Sequence, residues 1–319
     1  MRRRAVLATS FALTPMLTAL PDPVLADASH APLASYYDRH GALLGGVVHG
    51  WEGTGAPQPL RAGIVQVAVS RDAWYGVGTG GDLMRWTQAE PAPAQLLRRG
   101  VARVAAGASG WIAIDRDGTA WQAGGDDQPV RVMTDVVDAC IGDSADYLVT
   151  RDGRLHVRGL AHRGQYGDGL LRATPDYVAT ATEAVAVRAH TGHAVHLRRD
   201  GTVFGTGGNR FGPLSTHGLG DKADRWGPIF EGATAIATGS RHTLALRADG
   251  SLCRLRLGSQ PRCSTDARPN PSARPIPPAA SSGGRRRRRS CRSWSCAGST
   301  ALATGARPAH PNRQVHQWR

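Results

Sequence analysis

The sequence predicts an all-β chain built as a β-propeller and followed by a disordered C-terminal tail. Three observations predict it. A strand, Gly, strand, Asp-Gly, strand pattern recurs through the middle of the chain. Gly is 40 of 319 residues and aromatic residues are 6%, which suits many short strands joined by tight turns. No amphipathic helical pattern longer than a few turns competes with the alternation.

The pattern is clearest around four Asp-Gly pairs. The copies read "VARVAAGASGWIAIDRDGTAW" (101–121), "VVDACIGDSADYLVTRDGRLH" (136–156), "AVAVRAHTGHAVHLRRDGTVF" (184–204) and "ATAIATGSRHTLALRADGSLC" (233–253). Gly107, Gly142 and Gly239 each stand ten residues before the turn Asp, and His190 takes that place in the third copy. A weaker copy, "IVQVAVSRDAWYGVGTGGDLM" (64–84), has Gly80-Gly81 at the turn, and a partial one lies at "RHGALLGGVVHGW" (39–51). Each copy supplies an apolar strand, a Gly able to take positive φ, an alternating strand and a hairpin turn. Three or four such strands cannot bury both faces alone. Stacking the sheets around an axis does bury them.

The two ends of the chain read differently. Arg2-Arg3-Arg4, an apolar run over 5–20 and the small-residue site Ala26-Asp27-Ala28 form an export signal over 1–28. "RRAVL" (3–7) also fits the twin-arginine style. The apolar run is too short and too polar to span a membrane of ~20 helical residues. Residues 261–319 hold twelve Arg and one Asp, so +11 of the chain's +14 resides there and the high pI says little about the folded part. The domain boundaries are therefore 1–28, 29–260 and 261–319. Five cysteines do not form a disulfide framework, and Cys140, in the apolar run "VVDACIG", reads as a small core residue.

The repeats resemble the regulator-of-chromosome-condensation (RCC) family, whose pattern is A-G-x-x-H-S-L-A-L-x-x-D-G followed by a G-x-N-x-x-G-Q-L-G loop. "TGSRHTLALRADG" (238–250) is the nearest match, and "GLAHRGQYGDG" (159–169) and "GGNRFGPLSTHGLGD" (207–221) resemble the loop. The likeness covers about 64–258. It departs in that the motif His survives only at His193 and His242, with Ala73, Gly110 and Ala145 elsewhere, and Trp74 and Trp111 replace Ser. The resemblance implies a propeller of typically seven blades, of which five to six are recognisable here. It also implies two roles. One is an exported protein-binding propeller, as in the bacterial β-lactamase inhibitors of this type. The other is guanine-nucleotide exchange on a small GTPase.

No catalytic constellation stands against this. There is no G-x-S-x-G elbow, no H-E-x-x-H and no phosphate-cradling loop opening a helix. Asp117-Gly118, Asp152-Gly153, Asp200-Gly201 and Asp249-Gly250 are read as turns rather than ligands. His193 and His242 are read as hydrogen-bonding a neighbouring loop. Successive members of His190, His193 and His196 are three residues apart, so on a regular strand they face opposite sides and the three cannot all converge. No enzyme activity, metal or cofactor is expected.

The expected function is recognition of a protein partner by a monomer, through blade-end loops. Trp74, Trp111, Tyr166, Phe211 and Trp226 are the aromatic candidates, each with interblade packing as the competing role. Nucleic acid is expected to meet only Arg285–Arg289, without specificity. The regular pattern stops inside a strand after Asp249-Gly250, and the Arg/Pro/Ser/Ala composition beyond is that of a GC-rich gene read out of frame. A non-functional truncated product is thus the further alternative.

Overall fold

The recurring hairpins fold as six four-stranded antiparallel sheets, each with its strands paired in chain order. The computed structural model describes residues 33–87, 89, 92–124, 128–214, 220–255 and 261–264, all within the unit Met1–Ala267. The export signal and residues 265–319 lie outside them, as does most of the stretch read as out of frame; its start, Arg254 and Leu255, continues a strand.

Blade 1 comprises β1 (Leu33–Tyr36), β2 (Arg39–Leu44), β3 (Val47–Glu52) and β4 (Gln58–Ala62). Blade 2 comprises β5 (Ile64–Val69), β6 (Trp74–Gly78), β7 (Leu83–Trp86) and β8 (Gln95–Arg98). Blade 3 comprises β9 (Val101–Gly107), β10 (Gly110–Asp115), β11 (Ala120–Ala123) and β12 (Val130–Met133). Blade 4 comprises β13 (Val136–Ile141), β14 (Ala145–Thr150), β15 (Leu155–Leu160) and β16 (Ala173–Ala181). Blade 5 comprises β17 (Ala184–Ala189), β18 (His193–Arg198), β19 (Val203–Gly208) and β20 (Lys222–Phe230). Blade 6 comprises β21 (Ala233–Gly239), β22 (His242–Arg247), β23 (Leu252–Leu255) and β24 (Arg262–Ser264). The partial copy at 39–51 is thus the centre of a complete blade. The sixth blade closes on a strand, Arg262–Ser264, inside the stretch the sequence assigns to the tail.

The first strands lie innermost and pack in series, β1 on β5, then β9, β13, β17 and β21. A cavity of about 980 Å³ lies along them, lined by Arg103, Val137, Cys140, Ala186, Ile236 and the start of β1. The second strands of blades 2 to 5 are covered on both faces: every residue of β6 and β14, and all but the last of β10 and β18, are buried.

The Asp-Gly turns have one geometry. The Gly118 N–H donates to the Asp115 carbonyl at 3.0 Å, Gly118 takes φ 86°, and the Asp117 carboxylate accepts the Thr119 N–H at 2.8 Å. Asp152, Asp200 and Asp249 accept from Arg154, Thr202 and Ser251 in the same way. The turn glycine then reaches the next blade. The carbonyls of Gly118, Gly153 and Gly201 accept the N–H of Val136, Ala184 and Ala233, each at 2.9 Å. Gly81 does this for Val101 at 2.9 Å and Gly46 for Ile64 at 3.2 Å.

Five apolar cores lie between the six blades. The core between blades 1 and 2 holds Val48, Leu60, Trp74 and Trp86. Trp111 and Tyr75 lie between blades 2 and 3, and Ile112 and Leu148 between 3 and 4. Tyr147 and Val187 lie between 4 and 5, and Leu197 and Leu255 between 5 and 6. Among the described residues no sixth core joins blade 6 to blade 1. Leu246 and Leu252 of blade 6 and Leu33 and Leu44 of blade 1 are correspondingly exposed.

Cys253 and Cys263, opposite each other on β23 and β24, form a disulfide. This corrects the cysteine reading: the pair is brought together by strand register, which a cysteine count does not contain. Cys140 is free. Its Sγ accepts the Ala189 N–H at 3.1 Å, and burial pushes the thiol up to about 11.

The turns predict a graded effect of substitution. Gly201→Ala and Gly250→Ala both place a side chain at positive φ, which costs about 1–2 kcal/mol. Only at Gly201 does the new Cβ also come within 3.1 Å of the next blade's Ala233 carbonyl; nothing lies within 4 Å of it at Gly250. Gly201→Ala is expected to lower the urea midpoint more. Equal losses would show that the blade-to-blade turn contact carries no weight.

Candidate functional site

The loops at the end of the blades opposite the Asp-Gly turns build a basic cleft. Two of its walls are long connections that their own side chains hold in place. In the first, after β15, the Tyr166 hydroxyl donates to the Gly159 carbonyl at 3.0 Å and the Tyr147 hydroxyl to the Gln165 carbonyl at 3.2 Å. The Gln165 side chain accepts the Arg163 N–H at 2.8 Å and donates to Ser144 Oγ at 3.0 Å. Thr206 Oγ1 of blade 5 donates to the Gly164 carbonyl at 2.8 Å. Trp226 of β20 donates its backbone N–H to Gly167 and its indole N–H to Thr180 Oγ1. These bonds leave Arg163 on a braced loop.

The second wall follows β19 and is organised by Asn209, which is 4% exposed. Its Oδ1 accepts the Leu214 N–H at 3.0 Å and its Nδ2 donates to the Gly220 carbonyl at 3.2 Å. Its backbone N–H donates to the Asp221 carbonyl at 2.7 Å, and its carbonyl accepts the Gly212 N–H at 2.8 Å. One residue thus ties 212–214 and 220–221 together and sets Arg210, Phe211 and Lys222 around the cleft mouth.

The remaining walls are two short turns, 191–193 of blade 5 and Ser240-Arg241 of blade 6, with Tyr37 of blade 1 at the edge. The enclosed volume is about 640 Å³. Arg163 lies flat across two glycines: a Cβ would fall 3.1 Å from its Cδ at Gly192 and 3.4 Å at Gly208. The Arg241 guanidinium sits 4.4 Å from the Phe211 ring centroid and that of Arg210 6.0 Å, within cation–π range. Tyr36 and Tyr37 both donate to the Asp143 carboxylate, at 3.1 and 2.5 Å, which ties the β1–β2 turn to blade 4.

Behind the cleft lie two buried histidines. His193 Nε2 stands 3.4 Å from Thr243 Oγ1 of the next blade. His196 lies between Phe204 and Trp226, with ring centroids 5.3 and 4.9 Å away and no hydrogen-bond partner on either ring nitrogen. Burial, aided by neighbouring His190 and His242, holds His193 down at about 3, and burial with nearby Arg198 does the same to His196. Among the described residues no cluster of three or more His, Cys, Asp or Glu has metal-binding geometry.

The aromatic candidates separate. Trp74 is 6%, Trp111 1% and Tyr166 0% exposed, all inside interblade cores. They offer no ring face to a partner: the repeat position shared by Trp74 and Trp111 points between blades, and Tyr166 folds from its loop into the core between blades 4 and 5. Trp226 is partly buried and braces the first loop. Phe211, at 43% exposure, alone of the five stands open at the cleft. The turn residues Asp117, Asp152, Asp200 and Asp249 with their glycines lie at the opposite end. Gly107, Gly142 and Gly239 stand at the turns between first and second strands, where Gly107 packs on Ile141 of the next blade. His242 follows Arg241 directly. The sequence reading missed the four cations Arg163, Arg210, Lys222 and Arg241. Their signal was present, since Arg163, Arg210 and Arg241 occupy loops, and Lys222 the start of β20, on the side of the repeat away from Asp-Gly.

Two outcomes follow. In the unfolded chain histidine binds protons at its ordinary value of 6.5, whereas buried His193 and His196 do so only at about 3. Stability is therefore full above about 6.5 and lost as pH falls toward 3, by up to ~1.4 kcal/mol per pH unit for each such group. His196→Phe is expected to flatten the fall in urea midpoint between neutral and mildly acidic pH; an unchanged slope would exclude His196 as a source. Asn209→Ala is expected to speed tryptic cleavage at Arg210 while cleavage at the exposed Arg99 stays constant.

No protein-family model matches the chain, and no curated protein matches it. Solved structures do. Prp20p from Saccharomyces cerevisiae, in a structure described with its binding to Gsp1p and histones, shares 15% identity over 70% of this chain and 71% of that one, with TM-score 0.59. Yeast RCC1 (Prp20) bound to Kap60 shares 15% identity over 70% and 69%, with TM-score 0.58. The six-bladed architecture of this chain is that of an RCC-type β-propeller.

Proposed function

We infer that this chain is a non-enzymatic, exported propeller that binds a protein partner through the loop end of blades 4 to 6. The observation that carries the reading is Phe211, an exposed aromatic ring on a loop closed by Asn209 and flanked by arginines. An aromatic and Arg pair on a pre-ordered loop is the composition of an interface anchor. The proteins of like fold lend support, since Prp20p is described with binding to Gsp1p and histones and yeast RCC1 with Kap60. Export rests on the leader-like residues 1–28 and is supported by the Cys253–Cys263 disulfide, a bond that persists in oxidising compartments.

The test is capture by immobilised protein after mild cross-linking in the native host. A protein held by wild type and by Arg99→Glu, and lost from Phe211→Ala, is the expected result. Retention that ignores Phe211→Ala would overturn the site. Export is tested by the mature N-terminus, expected immediately after Ala28; an uncleaved, cytoplasmic chain would refute it.

A further inference from the structure

Several partly buried arginines of this fold face carboxylates. Arg98 pairs with Asp115 at 2.6 Å, Arg188 with Asp138 at 2.7 Å, Arg158 with Asp146 at 3.3 Å and Arg172 with Asp168 at 2.5 Å. The cleft departs from this habit. Arg163, Arg210, Lys222 and Arg241 all line it, all are exposed, and none has an ion-pair partner among the described residues. Asp221 is the one carboxylate in the lining, so the cleft carries a net charge of +3 from those five groups. Asp143, nearby, is held by two tyrosine hydroxyls.

We propose that this cleft binds an extended acidic segment of a protein partner, with two or more Asp or Glu side chains seated among Arg163, Arg210, Lys222 and Arg241 and the chain lying against Phe211. Four like charges around one concavity repel each other, and an arriving carboxylate relieves that repulsion for all of them. Arginine forks also match carboxylates two bonds at a time. The volume of about 640 Å³ admits a few side chains, not a domain. Single-stranded nucleic acid is disfavoured by the layout: it needs cations tracking a backbone with successive stacking rings. Here the cations converge on one cleft with one exposed Phe. The bracing of both loops means that little ordering accompanies binding.

The proposal rests on the loop end being the partner-binding face, and its test separates the two. The probe is a fluorescein-labelled octapeptide containing four glutamates, with its lysine-substituted counterpart and a thymidine oligonucleotide of matched charge, followed by anisotropy at low and high ionic strength. The glutamate peptide is expected to bind, to weaken with salt, and to weaken at least about tenfold in Arg163→Glu/Arg241→Glu. Arg99→Glu, at the opposite end, is expected to leave it unchanged. Arg241→Gln and Phe211→Ala, exposed substitutions that leave the cores intact, are expected to give intermediate losses. Equal binding to the double variant would overturn the site. Oligonucleotide binding that matches the peptide's and competes with it would replace the ligand class. No peptide binding, together with a captured protein that still depends on Phe211, would overturn the acidic segment and leave the binding face standing.

Discussion

Each blade after the first begins with a backbone bond to the blade before it. The turn glycine offers its carbonyl, and the first N–H of the next inner strand takes it, five times over between blades 1 and 6. Such a bond contributes only about 1 kcal/mol net, while a single buried Leu or Phe contributes ~1.5–3 kcal/mol. The bonds are therefore not the source of stability. What they set is position. They decide where an inner strand starts, hence which residues of the next sheet face backward, and hence whether Leu197 meets Leu255 or misses it. Positive φ at Gly118, Gly153 and Gly201 is what turns the carbonyl toward its partner. At Gly250 the same turn forms with no inner strand of a further blade after it among the described residues, and nearby Leu246 and Leu252 are exposed.

That register also sorts the loops. With Asp-Gly turns committed to one end, the connections after β15 and β19 emerge together at the other. Their bracing comes from short polar networks around Gln165 and Asn209, both nearly fully buried, where an unmade hydrogen bond would cost about 1–3 kcal/mol. The rigid loops carry cations that the sheets did not absorb. Within the sheets, the partly buried Arg98, Arg158 and Arg188 each face a carboxylate, which offsets the cost of removing the charge from water. At a wet blade end, water screens the repulsion and no such partner is required. The charge left in the cleft thus follows from where the loops sit in the fold.

The histidine cluster shows how far local pattern reaches. Period-two spacing predicts only that His193 and His196, three residues apart on one strand, face opposite sides. It did not show that His196 lies in an aromatic box with no partner for either nitrogen. Phe204 and Trp226 come to it from two other strands of the same blade.

The all-β class, the propeller, the turns and five of the six blades were legible in the sequence, because an Asp-Gly hairpin and period-two burial are local properties of a few consecutive residues. The first blade was visible only in part, since its turn is Gly45-Gly46 and its motif His is absent. Strand-to-strand facts were not legible. The burial of Trp74, Trp111 and Tyr166 and the meeting of Arg163 with Arg241 depend on which blade lies against which, and the Cys253–Cys263 pair and the outer strand Arg262–Ser264 on strand register inside blade 6. Those are contacts between residues far apart in the chain, or across a register that one residue of slip would reverse, and only the packing and pairing of the sheets decide them.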